Sequence, residues 1–368
     1  MTDEAPATSP RATIRYPLDT VPAPGALLEV APGVHWTRLP LPISLEAINV
    51  WLLAEDGGHA VVDTGISSED SVAIWEELLA GPLSVGGLTR VLTTHLHPDH
   101  VGMAGWLTRR TGCRLWMTRL EYLLCRMLAG DSGRAAPDEA LDFFRRAGWD
   151  DQALAAYCRR FGSFGRMLSP LPESYRRIRE GELVRIGKYD WEVVVGTGHS
   201  PEHACLYDAH RKLLISGDQV LPRISSNVSV HFTEPDADPL GDWLHSLGKL
   251  RRRVPDDVLV LPSHNEPFQG LHARLNQLEA DVFDALERLK QGLKEPRRAV
   301  DVFPLLFSAK LRADDPTQLT LATGEAIAHL NHLLMRGEVR VSTDERGVAW
   351  YQRLQDGLSE AMPILRPS

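Results

Sequence analysis

Thr94-His95-Leu96-His97-Pro98-Asp99-His100 places four potential metal ligands, His95, His97, Asp99 and His100, within six residues. The run follows an apolar stretch, Val91-Leu92-Thr93, and precedes Val101-Gly102-Met103-Ala104-Gly105. That context predicts a strand, a tight loop and the start of a helix. A loop at a strand end can turn several side chains onto one point. Neutral imidazoles with a carboxylate suit a borderline divalent cation such as zinc, and also iron or manganese.

Three later segments each carry one candidate ligand just past a β-rich run. His199 lies in Gly196-Thr197-Gly198-His199-Ser200-Pro201, after Trp191 to Val195. Asp218 follows Leu213-Leu214-Ile215, and His264 follows Val258-Leu259-Val260-Leu261. A ligand at a strand end is held by its sheet, so its geometry is pre-set. Upstream, Ala60-Val61-Val62-Asp63-Thr64-Gly65 has the same form. His203, four residues past His199, reads as a supporting neighbour of the ligands rather than a ligand.

In this order the H-x-H-x-D-H signature, the later His, the Asp and the last His resemble the metallo-β-lactamase-like hydrolase superfamily, over roughly residues 30 to 290. The resemblance implies an α/β fold, a four-layer αββα sandwich with two metals at one edge. It implies that His95, His97 and His199 bind the first metal and that Asp99, His100 and His264 bind the second. Asp218 would bridge them together with a water or hydroxide, and Asp63 would orient a ligand loop. Asp99 and Asp218 carry the expected catalytic roles, Asp99 by orienting the hydroxide and shuttling its proton. The Asp218 position is a cysteine in some antibiotic-destroying members. A carboxylate there resembles the glyoxalase II and lactonase-like branch. Ser263 stands before His264 where glycine is more usual, a departure that a small residue accommodates.

The spacing adds an expectation. His100 to His199 is 99 residues, more than two strands and a crossover helix need. The excess, about 105–181, has apolar positions at three- and four-residue steps, as in Glu121 to Leu128, Asp138 to Ala147 and Asp151 to Phe161. It reads as a helical insertion forming a lid beside the metals. Residues 1–25 read as an N-terminal arm rather than a secretory signal, and 26–294 as the metallo-hydrolase domain. Residues 295–368 read as a small winged-helix-like C-terminal domain. Its expected parts are a helix over Ala299 to Leu311, with Pro304 as a point of kinking or division, a helix over Thr323 to Arg336, then a hairpin of Val339 to Val341 with Val348 to Tyr351. The layout resembles the β-lactamase-like protein 2 group.

The chain has 368 residues, 43% of them hydrophobic, and a formal charge of −9, enough core for one large and one small domain. No apolar stretch approaches ~20 residues, so no membrane span is expected. Cys113, Cys125, Cys158 and Cys205 lack paired metal spacing and are read as reduced thiols of a cytoplasmic protein. Residues 297 to 355 hold eight Lys or Arg against seven Asp or Glu, a balance that argues against nucleic acid as a partner.

The expected function is hydrolysis of an acyl thioester, lactone or ester by a metal-bridging hydroxide, with two divalent ions, zinc first and iron or manganese as alternatives. A metal-dependent ribonuclease or phosphodiesterase, and a non-hydrolytic iron-dependent member of the fold, are the competing readings. The expected partner is a small acyl substrate, with a homodimer as the candidate assembly. Arg223 and His231 are the candidate substrate-binding residues, because both follow the Asp218 strand.

Overall fold

The computed structural model describes residues 13–42, 45–307 and 315–354. These divide into two compact units. The first takes residues up to Ala136, Arg160–Val228 and Asp242–Ala280. The second takes Pro137–Arg159, Ser229–Gly241 and the chain from Asp281 on.

The first unit is built on two sheets. The larger runs β1 (Leu28–Ala31), β2 (Val34–Pro40), β3 (Ala47–Glu55), β4 (Gly58–Val62), β5 (Leu88–Leu92), β6 (Arg114–Met117) and β7 (Arg176–Arg177), in that order across the sheet. Pairing is antiparallel from β1 to β4 and parallel from β4 to β7. The smaller sheet comprises β8 (Leu183–Ile186), β9 (Tyr189–Gly196), β10 (His203–Asp208), β11 (Leu213–Gly217) and β12 (Leu259–Pro262). It is antiparallel except for the parallel β11–β12 pair.

Alternation along the strands sends one set of side chains between the sheets. Trp36, Trp51, Val62 and Leu92 of the larger sheet join Val184, Trp191, Val193, Leu206 and Ile215 of the smaller one in a single buried cluster. This is sheet-on-sheet packing. The other face of the larger sheet supplies Val50, Leu52, Val61 and Val91 to a second cluster. There they meet α1 (Glu69–Ala80) through Trp75 and Leu78, and α3 (Ala104–Thr111) through Leu107. Between α1 and α3 lies the short α2 (Pro98–Val101), and Tyr122 and Cys125 of α4 (Arg119–Gly130) also reach this cluster.

The stretch 105–181 is not helical throughout, as its periodicity suggested. Arg114-Leu115-Trp116-Met117 is a central strand, β6, and Arg176–Arg177 extends the same sheet. A four-residue apolar run is too short for periodicity to separate strand from helix. The inserted helices also do not act as one body. Helix α4 belongs to the first unit. Helix α5 (Asp138–Ala147) and all but the last residue of α6 (Asp151–Arg160) belong to the second.

In the second unit α5 turns Ala140, Phe143, Phe144 and Ala147 inward. Phe144 stacks on Trp149 with ring centroids 4.2 Å apart, and Trp149 Nε1 donates to Thr323 Oγ1 at 2.9 Å. Thr323 lies on α10 (Pro316–Met335), which follows α7 (Pro239–Arg253), α8 (Leu271–Gly292) and the short α9 (Phe303–Leu306) along the chain. Helix α10 starts seven residues before its expected beginning at Thr323. The start signal is Asp315-Pro316, where the Asp315 side chain accepts the Thr317 and Gln318 amides and Pro316 holds the first turn. The expected helix from Ala299 is instead a 3-10 turn, Ala299–Val302, followed by α9. Residues 308 to 311 of that expectation fall outside the described residues. β13 (Val339–Thr343) and β14 (Ala349–Arg353) form the hairpin, its turn closed by Asp344 accepting from the Arg346 and Val348 amides. The winged-helix likeness of this domain stays an expectation from element order. The four cysteines are free. Among the described residues no helix is long and apolar enough to cross a membrane.

Candidate metal centre

The parallel pairs β4–β5 and β11–β12 carry their carboxyl ends to one edge of the two sheets, and antiparallel β10 begins at that edge. Asp63, the His95–His100 loop, Asp218, His264 and His203 are therefore delivered together. Backbone bonds tie the loops to each other. Ala204 N donates to Thr94 O at 2.8 Å, and the Thr64 amide and hydroxyl both donate to His100 O. Asn49, buried on β3, donates through its side-chain amide to Pro262 O at 2.8 Å and Asn265 O at 2.7 Å, clamping the His264 loop.

Two groups of ligand atoms result, each lying within 4.8 Å. In the first, His95 Nε2 is 2.8 Å from His97 Nδ1 and 3.2 Å from His199 Nε2, and Asp218 Oδ2 is 3.5 Å from His199 Nε2. The second holds Asp99, His100 and His264, with His264 Nε2 3.3 Å and His100 Nε2 3.6 Å from Asp99 Oδ2. Asp218 faces both groups. Its Oδ2 lies 3.4 Å from His100 Nε2 and its Oδ1 3.6 Å from His264 Nε2.

The outer nitrogens of the imidazoles set their orientation. His199 Nδ1 donates to Asn227 O at 2.7 Å, and His264 Nδ1 to Ala47 O at 3.1 Å. His100 Nδ1 donates to Asp63 Oδ2 at 2.8 Å. A carbonyl or carboxylate can only accept, so each ring in its neutral form carries its proton on Nδ1 and turns its Nε2 lone pair to the interior. Asp63 also accepts the Thr94 amide at 2.8 Å and the Thr94 hydroxyl at 2.9 Å. His203 is fully buried, and its Nε2 accepts the Asp218 amide at 3.0 Å. That lone pair is committed to the backbone, so His203 holds Asp218 in place. Gly217 is what admits this bond: at φ +53° it has left-handed backbone, and a Cβ there would overlap the His203 ring.

These residues fit a pair of cations. Among the described residues, His100 Nε2, His264 Nε2 and Asp218 Oδ1 are buried with no hydrogen-bond partner, a costly arrangement in a protein interior unless something positive sits between them. The donor separations of 2.8 to 3.6 Å bracket the edge of about 3.3 Å of a tetrahedron with ligands at ~2.0–2.1 Å. The charge state is also suitable. Burial and the neighbouring imidazoles hold His95 well below its ordinary pKa, and burial with His199 brings His97 down to about 3. Both are then neutral donors. Burial pulls His100 and His264 the same way, but Asp218 and Asp99 overcome it and raise both, so these two sites attract positive charge and a bound cation would displace the Nε2 proton. Burial opposes ionisation of Asp218, yet His100 and His264 hold it well below the usual carboxylate range.

The substrate candidates fare differently. Arg223 forms a two-pronged pair with Glu266, at 3.1 and 3.2 Å, and its guanidinium lies 4.2 Å from the Tyr16 ring centre. Its donors are partly engaged before any substrate arrives. His231 is an exposed residue of the second unit, and its role stays an expectation from sequence. Sequence reading missed Asn49, Thr94 and Ser226, whose hydroxyl donates to Asp218 O. It also missed Glu121, an acid on the buried stripe of α4. An acid in an apolar stripe was the available signal for Glu121. The others have no signal in a single chain.

Comparison with known proteins agrees with this geometry. The family model of the metallo-beta-lactamase superfamily matches residues 43–264, and that of the metallo-beta-lactamase-like C-terminal domain matches residues 286–354. A beta-lactamase domain protein from Burkholderia ambifaria, known from its crystal structure, is 42% identical. The match covers 93% of this chain and 98% of that one with a TM-score of 0.85. A Bacillus subtilis (strain 168) protein named "Probable metallo-hydrolase YqjP" is 24% identical over 80% of this chain and 90% of its own length. The hydroxyacylglutathione hydrolase GloC of Haemophilus influenzae is 22% identical over 61% of this chain and 88% of its own length.

Proposed function

The chain belongs to the metallo-beta-lactamase superfamily, and from that premise we propose that it is a dinuclear metal-dependent hydrolase cleaving an acyl thioester, lactone or ester. The observation that carries the reading is Asp218, a carboxylate set within 3.6 Å of imidazoles from both ligand groups. His95, His97 and His199 would hold one cation, Asp99, His100 and His264 the other, and Asp218 would bridge them. Zinc suits this ligand set, as do iron and manganese. When bound, two divalent cations supply Lewis acidity that lowers the pKa of water from ~15.7 toward neutrality and polarises the acyl oxygen.

The protein's own residues do the rest. Asp99 has an 18% exposed side chain, against 0% for His100 and 1% for His264 beside it, so it meets solvent at the site and is suited to orient water and accept its proton. Asp63 keeps His100 Nε2 directed inward. His203 and Ser226 hold the backbone of Asp218 from opposite sides, by its amide and its carbonyl. The glutathione hydrolase among the relatives supports a thioester as the first substrate class to test.

The test is thiol release by metal-counted protein against a panel of acyl-glutathione and acyl-CoA thioesters, with Asp218→Asn as control. Release by the wild type, lost by orders of magnitude along with metal in the variant, is the expected result. Absence of release from protein holding two metals would remove the thioester reading and turn attention to lactones, other esters and phosphodiesters.

A further inference from the structure

One buried acid takes no part in either ligand group. Glu121, in the first turn of α4, is fully buried. Its Oε2 accepts the amide of Leu96 at 2.9 Å, and its Oε1 accepts the amide of Glu202 at 2.8 Å. Leu96 stands between His95 and His97, and Glu202 lies three residues past His199. One carboxylate thus joins the two loops that supply all three imidazoles of the first group. The junction is braced from outside: Thr118 Oγ1 donates to Glu202 O at 2.8 Å, and the Leu120 amide donates to Glu202 Oε2 at 2.8 Å. A buried acid is costly unless hydrogen-bonded, and burial pushes this one up to about 7. An apolar residue would strand two buried amides. Glutamine could satisfy only one, because its NH₂ would face the other N–H.

From this geometry we infer that Glu121 is a positioning residue that sets the spacing of the His95, His97 and His199 nitrogens, and so the affinity of the first metal relative to the second. The inference rests on the dinuclear reading above. It predicts something a general packing role does not: an effect confined to one of two sites that share Asp218.

The experiment is a chelator-competition titration of the metal-free wild type and Glu121→Gln with zinc. It is accompanied by cobalt absorption spectra at one and two equivalents and by the Tm of each metal-free protein. The first site of the variant is expected to weaken roughly 10–100-fold, the range for residues that orient metal ligands, with the second unchanged within about threefold. The one-equivalent cobalt spectrum should lose intensity. If both sites weaken equally, or neither changes in a folded variant, the inference falls. A wild type that binds fewer than two metals would instead overturn the dinuclear reading itself. Should Glu121→Gln not fold, Glu121→Asp, which keeps the carboxylate and shortens its reach by one methylene, is judged by the same criterion.

Discussion

Replacing Asp63 by Asn tests the proposed metal centre at a residue outside both ligand groups. Asp63 adopts a left-handed backbone, φ +62°, which Asn tolerates as well as Asp. The swap therefore changes hydrogen-bond chemistry and little else. Both carboxylate oxygens are in use: Oδ1 accepts the Thr94 amide at 2.8 Å, and Oδ2 accepts His100 Nδ1–H at 2.8 Å. Asn has one acceptor. If its oxygen faces Thr94, its NH₂ faces His100, which must then accept at Nδ1 and place its proton on Nε2, the atom needed as a ligand. If the oxygen faces His100, two N–H groups confront each other at Thr94. Either orientation penalises the second site, where a 10–100-fold loss of metal affinity is expected, about 1.4–2.7 kcal/mol. The first site is linked to Asp63 through the Thr94 hydroxyl, 3.0 Å from His95 Nδ1, and should lose less affinity than the second. Elemental analysis after desalting gives stoichiometry, and competition with a fluorescent chelator gives the two constants. A folded Asp63→Asn protein with an unchanged second constant would refute the orienting role of Asp63.

Two further outcomes follow from the same geometry. His264→Ala should lose mainly the second metal, on the order of 100-fold or more in affinity, above the usual cost of removing an orienting neighbour; elemental analysis showing two metals retained would exclude His264 as a ligand. Gly217→Ala forces a side chain into left-handed backbone, at roughly 1–2 kcal/mol, and displaces the His203 ring, stranding the buried Asp218 amide at roughly 1–3 kcal/mol more; chemical denaturation of the metal-free protein should show a loss of at least about 2 kcal/mol, and one below about 0.5 would contradict the packing described.

The second unit shows where sequence reading reaches its limit. The amphipathic face of α5 is plain in Ala140, Phe143, Phe144 and Ala147, but nothing local says what covers it. Trp149 meets Thr323, 174 residues away, and the segment 229–241 joins the same unit through Val230 N to Gly324 O and Asn331 to Pro235 O and Ala237 O. These are long-range pairings with no periodicity to announce them. The periodicity of Gly105 to Gly181 accordingly suggests one helical lid, although two strands lie inside it and its helices belong to two units.

The sequence by itself determined the family and the candidate ligand types. His95, His97, Asp99 and His100 are so close in the chain that their loop must bring them together, and His199, Asp218 and His264 each follow an apolar strand that dictates where they emerge. Tertiary structure alone decided the supporting contacts. Asp63 to His100, His203 to Asp218, Asn49 to the His264 loop and Glu121 to two loops at once are hydrogen bonds between residues distant in sequence or turned by loop conformation. Hydrogen bonds of this kind depend on angles and on distances of a few tenths of an ångström. A linear pattern of residue types carries neither; packing of the two sheets supplies both.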